Sequence, residues 1–206
     1  MIVSEPKIFL HVGCGGKRQN QTTRGFADTS KWREVRLDID PQVAPDIVAS
    51  ITDMKEVPSG SMDAIFSSHN LEHLYAHEVP LALKEFYRVL KDDGFAVITC
   101  PDVQTVAELV AHGKLLEPCY MSPAGPISPI DILWGHRPSL ARGNYYMAHK
   151  VGFTAQSLTQ ALLEAGFAVV GTNRRPAPFF DIWALASKSR RSEAEMRALI
   201  AEHFPL

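Results

Sequence analysis

The sequence predicts an α/β fold, a doubly wound, mostly parallel sheet with helices on both faces. Three observations predict it. Apolar runs of strand length alternate with segments of helical period. The first run, Ile8-Phe9-Leu10-His11-Val12, breaks into the glycine cluster Gly13-Cys14-Gly15-Gly16. A second, Val35-Arg36-Leu37-Asp38-Ile39-Asp40, ends in carboxylates about 20 residues on, the spacing with which such folds grip an adenosine-containing cofactor. Glycines admit a ligand close to the backbone, and a carboxylate at a strand end accepts from both ribose hydroxyls.

Strands are expected at Ile8–Val12, Glu34–Leu37, Ile47–Ser50, Ala64–Ser67 and Ala96–Thr99, with two more near Ala168–Thr172 and Ile182–Ala186. Within Glu78–Leu90 the apolar residues Val79, Leu83, Phe86, Val89 and Leu90 recur at helical spacing, and Lys91-Asp92-Asp93-Gly94 closes that helix. Thr154–Ala165 reads the same way. Thr154 caps it, Leu158, Leu162 and Leu163 share a face, and Gly166 stops it. Arg190–His203 reads as a charged surface helix with no assignable role. The segment Gly113–Val151 differs, with five prolines, four glycines, several aromatics and no sustained period. Its Ile127, Ile130, Ile132, Leu133 and Trp134 argue against disorder, so an ordered lid over a site is expected.

With 206 residues, 46% hydrophobic and 21% charged, the chain suffices for one well-buried domain. A formal net charge of -2 gathers neither nucleic acid nor anionic membrane. No apolar run approaches the roughly 20 residues that span a bilayer. Met1–Lys7, with Glu5 and Pro6, lacks the design of a secretion signal. Cys14, Cys100 and Cys119 are an odd set without metal spacing, as free thiols in a reducing cytoplasm would be. The oligomeric state stays open, a homodimer included.

Three cofactor readings compete for the glycines. A dinucleotide fingerprint needs a third glycine where Arg18 stands. A phosphate loop fails twice, at His11 and Arg18. The third needs close approach without a pyrophosphate, which suits S-adenosylmethionine.

At this point the chain resembles the class I S-adenosylmethionine-dependent methyltransferases, in particular the small bacterial group with a Leu-x-x-Gly-Cys-Gly opening. The resemblance runs from about Lys7 to Lys188, through Leu10–Gly16, Asp38-Ile39-Asp40, Ile51-Thr52-Asp53-Met54, Asp63-Ala64-Ile65-Phe66 and Leu71-Glu72-His73-Leu74. It continues in Tyr87–Gly94, Cys100-Pro101-Asp102 and Gly166-Phe167. It implies a seven-stranded Rossmann-like sheet whose antiparallel last strand follows a hairpin around Pro176–Phe180. One methyltransferase domain over residues 1–189 is implied, with a lid and acceptor insertion at about 113–151 and a helical tail at 190–206.

The resemblance also implies roles. Gly13, Cys14 and Gly15 would lie under the cofactor's methionine part, and Asp38, followed by Ile39, would take the ribose hydroxyls. Asp53 would accept from the adenine amino group, with Met54 beside the ring. Ser68 and His69 would line the methyl-transfer site. His11 stands where many relatives carry an acidic residue. His69, His149 and Tyr146 are the candidate catalytic groups, a histidine serving as base if the acceptor is a hydroxyl. The acceptor is expected to be a small molecule or a sugar-containing metabolite. The alternatives are a degenerate protein that binds S-adenosylmethionine without catalysis, and a nicotinamide-dependent oxidoreductase. His69-Asn70-Leu71-Glu72-His73 also matches an inverted zinc-protease pattern. That chemistry needs all five residues on a helix, and His69 follows an expected strand, so no metal is expected there.

Overall fold

The computed structural model describes residues 5–205. At its centre β1 (Lys7–Val12), β2 (Trp32–Asp38), β3 (Ile47–Val48), β4 (Met62–Ser68) and β5 (Leu90–Pro101) run parallel. A short hairpin, β6 (Tyr120–Ser122) and β7 (Gly125–Ile127), lies apart from them. The strands β8 (Val169–Arg175) and β9 (Asp181–Ser187) complete a seven-stranded sheet in the order β3-β2-β1-β4-β5-β9-β8, with β9 antiparallel to both neighbours. The expected doubly wound sheet is therefore present. Its connections reverse direction between β1 and β4, and the crevice at such a switch point is where open α/β sheets take ligands.

Strand periodicity builds two cores. Leu10 and Val12 of β1, with Ala96, Ile98 and Cys100 of β5, face one side, while Phe9, Phe95 and Val97 face the other. On the first side pack α1 (Val79–Val89) and, later in the chain, the expected helix begun by Thr154. The cover segment follows α1, with α2 (Val103–Ala111), α3 (Pro129–Trp134) and α4 (Arg137–Ala141). The Thr154 helix is α5 (Ala155–Glu164), and the Thr154 hydroxyl accepts from the Ser157 amide at 3.1 Å, as its capping role requires. Phe86 of α1 and Leu158 and Leu162 of α5 are buried on the sheet.

Three elements depart from expectation. Lys91–Gly94 forms no terminal turn, because β5 begins directly at Leu90, and those residues make an irregularity opposite Met62–Ala64. Lys91 Nζ bonds Asp63 Oδ1 at 2.8 Å while Asp63 Oδ2 accepts from the Ile8 amide, so the polar letters are anchored to neighbouring strands. Helix α2 was invisible because only Val106 along it is buried, although Asp102 caps it through the Gln104 amide. The last helix, α6 (Glu193–His203), is more than a charged surface element. It lays Met196, with Leu199, Ile200 and the adjoining Phe204, on the second face of the sheet.

The same face is finished by aromatic packing in the link from β1 to β2. Phe26 stacks on Phe9 with ring centroids 4.4 Å apart and meets Trp32 edge-on at 5.0 Å. Gln19 Nε2 donates to the carbonyls of Phe26 and Trp32, both at 2.8 Å, and holds that link in place. His203 closes the cluster, its ring 4.2 Å from Phe26 and its Nδ1 2.8 Å from Thr23 Oγ1.

His203 is 1% exposed, and burial pushes its pKa from 6.5 down to about 4. The unfolded chain therefore binds a proton that the folded chain refuses between those values. Stability held above pH 6.5 is lost as pH falls toward 4. Denaturant melts are expected to show a loss on the order of 3 kcal/mol from this group between pH 7 and 4. His203→Phe should remove that part of the pH dependence, and an unaltered slope in the variant would rule it out.

Candidate active site

Beyond β1 the chain turns through Gly13 and Gly15 at φ +58° and +52°, left-handed values that glycine adopts without a Cβ penalty. A Cβ on Gly13 would stand 2.4 Å from Asn70 Cγ, so the loop after β4 backs directly onto the glycine turn. The turn is held from β2. Asp38 Oδ2 accepts from the Gly15 amide at 2.7 Å, and Oδ1 accepts from the Asp40 amide at 2.9 Å. The buried Arg36 guanidinium donates to the carbonyls of Gly15 (2.5 Å), Lys17 (3.2 Å), Ala44 (2.7 Å) and Val43 (3.3 Å). His11 is buried with its Nδ1 2.6 Å from Glu34 Oε1. A carboxylate from the next strand thus pairs with the buried imidazole. The Cys14 thiol is buried, and burial raises its pKa to about 11, which keeps it protonated and a packing residue.

From this turn a continuous cleft of about 690 Å³ runs beneath the 113–151 segment, within the usual range for small-ligand sites. Its walls include His11, Gly13, Cys14, Gly15, Asp38 and Ile39 at one end. Ser68, His69, Tyr146 and His149 line the other. Asp53 and Met54 are not brought in. The Asp53 amide donates to the Ser50 carbonyl at 3.1 Å, a tight turn that carries the chain away from the cleft. Its carboxylate lies in solvent 3.7 Å from Lys55 Nζ, and the Met54 side chain is buried in the core. Ser50 and Ile51 line the cleft instead. Their place directly after β3, at the carboxyl edge of the sheet, is the signal that pointed to them.

The far floor is built after β4. His69 has φ +50°, and a single 3₁₀ turn spans Leu71–His73. The five residues of the protease pattern are therefore not on one helix. Glu72 is buried, and its Oε1 lies 3.3 Å from His69 Nδ1. Burial works to raise its pKa, but His69, His73 and His149 around it prevail and hold it below the usual carboxylate value. His73 Nδ1 is 3.1 Å from the Ala148 carbonyl and His149 Nδ1 is 2.7 Å from that of Ile132. Burial also lowers the pKa of His149, with Glu72 opposing. The amides of Lys150 and Val151 donate to the Glu72 carbonyl at 2.8 and 3.3 Å, which ties the end of the cover to this floor. Glu72 and Asn70 were missed as site residues, since nothing in their local sequence announces burial.

The cover is an ordered piece. Ile127 and Ile132 pack with Val106 and Phe180 in a third core, and Asp131 pairs with Arg137 at 2.8 Å beside the cleft. Tyr146 lies at the rim in a 3₁₀ turn and is largely exposed.

Comparison with known proteins agrees with this geometry. Residues 10–98 match the family described as a methyltransferase domain. Over these residues the chain is similar to that family, and its seven-stranded sheet has the class I methyltransferase architecture. A Mesorhizobium loti S-adenosylmethionine-dependent methyltransferase superposes with a TM-score of 0.58 at 17% identity, covering 91% of this chain and 93% of that one. An Archaeoglobus fulgidus methyltransferase gives 0.53 at 17%, covering 90% and 88%. The Burkholderia thailandensis 1,6-didemethyltoxoflavin-N1-methyltransferase, solved with 1,6-didemethyltoxoflavin and S-adenosylhomocysteine, gives 0.56 at 14%, covering 90% and 72%. At these identities the structural likenesses speak for the fold. No protein of curated function matches the chain by sequence. Among the described residues no helix is long and apolar enough to cross a membrane.

The glycine turn fits S-adenosylmethionine, the cofactor expected from the sequence resemblance. Cβ positions on Gly15 and Gly16 would meet open space, and Asn70 Nδ2 is a buried donor with no partner beside Gly13. Gly13→Ala is expected to drive Asn70 off the turn and abolish the thermal shift with S-adenosylhomocysteine. Gly16→Ala, with open space and no left-handed φ, should keep that shift. Equal shifts in both variants would show that the turn is not the binding element.

Proposed function

We propose that this methyltransferase acts on a small acceptor of mixed polarity, held between the histidine floor and the 113–151 cover. The observation that carries the reading is the single cleft joining the glycine turn to Glu72, His69, Tyr120 and Phe180 beneath that cover. A net charge of -2 supports a small molecule over a nucleic acid. The three free cysteines support a cytoplasmic setting.

Gly13, Gly15, Asp38 and Ile39 take the cofactor, with Ser50 and Ile51 in the place first given to Asp53 and Met54. Asp38 already holds the Gly15 amide, so it shapes the turn and offers its carboxylate edge together. When bound, the cofactor supplies an electrophilic methyl group on a sulfonium, so the protein's task is to align the acceptor and exclude water. Ser68 and His69 stand where β4 ends, Ser68 Oγ accepting from Thr99 Oγ1 at 3.3 Å. For a hydroxyl acceptor, His69 is the proton acceptor, steadied by Glu72 at 3.3 Å. Tyr146 and His149 bound the acceptor from the cover side.

Asp38→Ala is expected to lose the thermal shift with S-adenosylhomocysteine. With an acceptor in hand, His69→Ala should lower kcat by about 100-fold or more while that shift persists. Unchanged turnover would assign the proton elsewhere. A shift with NAD in place of the adenosyl ligands would favour the oxidoreductase alternative.

A further inference from the structure

Glu72 is 1% exposed, and its Oε1 lies 3.3 Å from His69 Nδ1 without the geometry of a hydrogen bond, while Oε2 has no partner. Proteins rarely leave an ionised carboxylate buried in that condition without a cation or a set of donors. His73 and His149 stand beside it, and one ligand atom from each of the three residues lies within 4.8 Å of the other two. The backbone orients both imidazoles. His73 Nδ1 faces the Ala148 carbonyl at 3.1 Å and His149 Nδ1 faces the Ile132 carbonyl at 2.7 Å. A carbonyl only accepts, so each Nδ1 carries the proton and each Nε2 keeps its lone pair. Ligating histidines are held in this way, with the far ring nitrogen donating to a carbonyl or carboxylate.

We propose that Glu72, His73 and His149 bind a divalent transition-metal ion of the zinc class at the floor of the acceptor cleft. Two imidazoles and one carboxylate are a catalytic-type zinc set, whereas magnesium and calcium take oxygen ligands. The set differs from the protease pattern in the sequence. It leaves out His69, draws His149 from 76 positions further along the chain than His73, and needs no helix. All three residues line the cleft, so the open coordination position faces the acceptor end. The ligand class it takes there is an acceptor oxygen, a hydroxyl or a carboxylate. Only that last role rests on the methyl-transfer reading; binding of the ion does not. His149 then serves as a ligand, and His69 keeps its place as the proton acceptor.

The test uses the whole chain, stripped with a chelator and titrated with Zn²⁺ or Mg²⁺ against a chromophoric competitor, with S-adenosylhomocysteine thermal shifts run in parallel. One Zn²⁺ per chain is expected, with Mg²⁺ at least about tenfold weaker. Glu72→Gln, His73→Ala and His149→Ala should each weaken Zn²⁺ by about tenfold or more. His112→Ala, on the exposed end of α2, should not. Retention of the S-adenosylhomocysteine shift in His73→Ala shows that the variant is folded. Zn²⁺ bound equally by every variant, or not bound by the wild type, overturns the proposal. Loss of the adenosyl shift with Zn²⁺ binding intact would overturn the cofactor assignment and leave the metal site standing.

Discussion

The buried guanidinium of Arg36 is the constraint on which the cofactor end depends. A parallel strand leaves its carboxyl-end carbonyls and amides pointing into the crevice, and a glycine turn there has no side chains of its own to hold it. Arg36 reaches from β2 across that gap and collects four carbonyls, from Gly15 and Lys17 on one side and Val43 and Ala44 on the other. Asp38, two positions further along the same strand, takes the Gly15 amide. One strand thereby positions two loops through a cation that accepts nothing and an anion that donates nothing, so the polarity of each contact is unambiguous. Charge-assisted bonds of this kind are stronger and more directional than neutral ones. His11 and Glu34 repeat the cross-strand arrangement one layer deeper.

The acceptor end is organised on the opposite principle. A buried carboxylate there is surrounded by the imidazoles of His69, His73 and His149, whose charge holds it below the usual carboxylate value. The bonds from Lys150 and Val151 to the Glu72 carbonyl make floor and cover one unit. The third core under the cover, from Val106 to Phe180, then fixes how far it stands from the sheet.

Legibility in the sequence followed contact range. The strands that form the sheet, α1 and α5 were readable, because their period-2 and period-3.6 patterns are written in adjacent letters. The glycine turn and Asp38 were readable for the same reason, since strand, turn and strand end lie within about thirty residues of each other. Asp53 and Met54 were placed by the family resemblance, and with the four-residue turn at Ser50–Asp53 they do not line the cleft. Arg36 looked like an ordinary polar position in an apolar strand, and Glu72 like a turn residue. Both owe their role to partners brought close by folding.

By itself, the sequence determined the class of fold, which follows from local periodicity, and marked the turn beyond β1, where Gly13 and Gly15 take left-handed φ. Tertiary structure alone decided the rest. It placed α6 and Phe26 on the second face, where His203 meets Thr23 from 180 positions away. It brought His149 to Glu72 and His73. Each is a contact between residues far apart in the chain, and no local pattern encodes which distant side chain will fill the space or satisfy the charge.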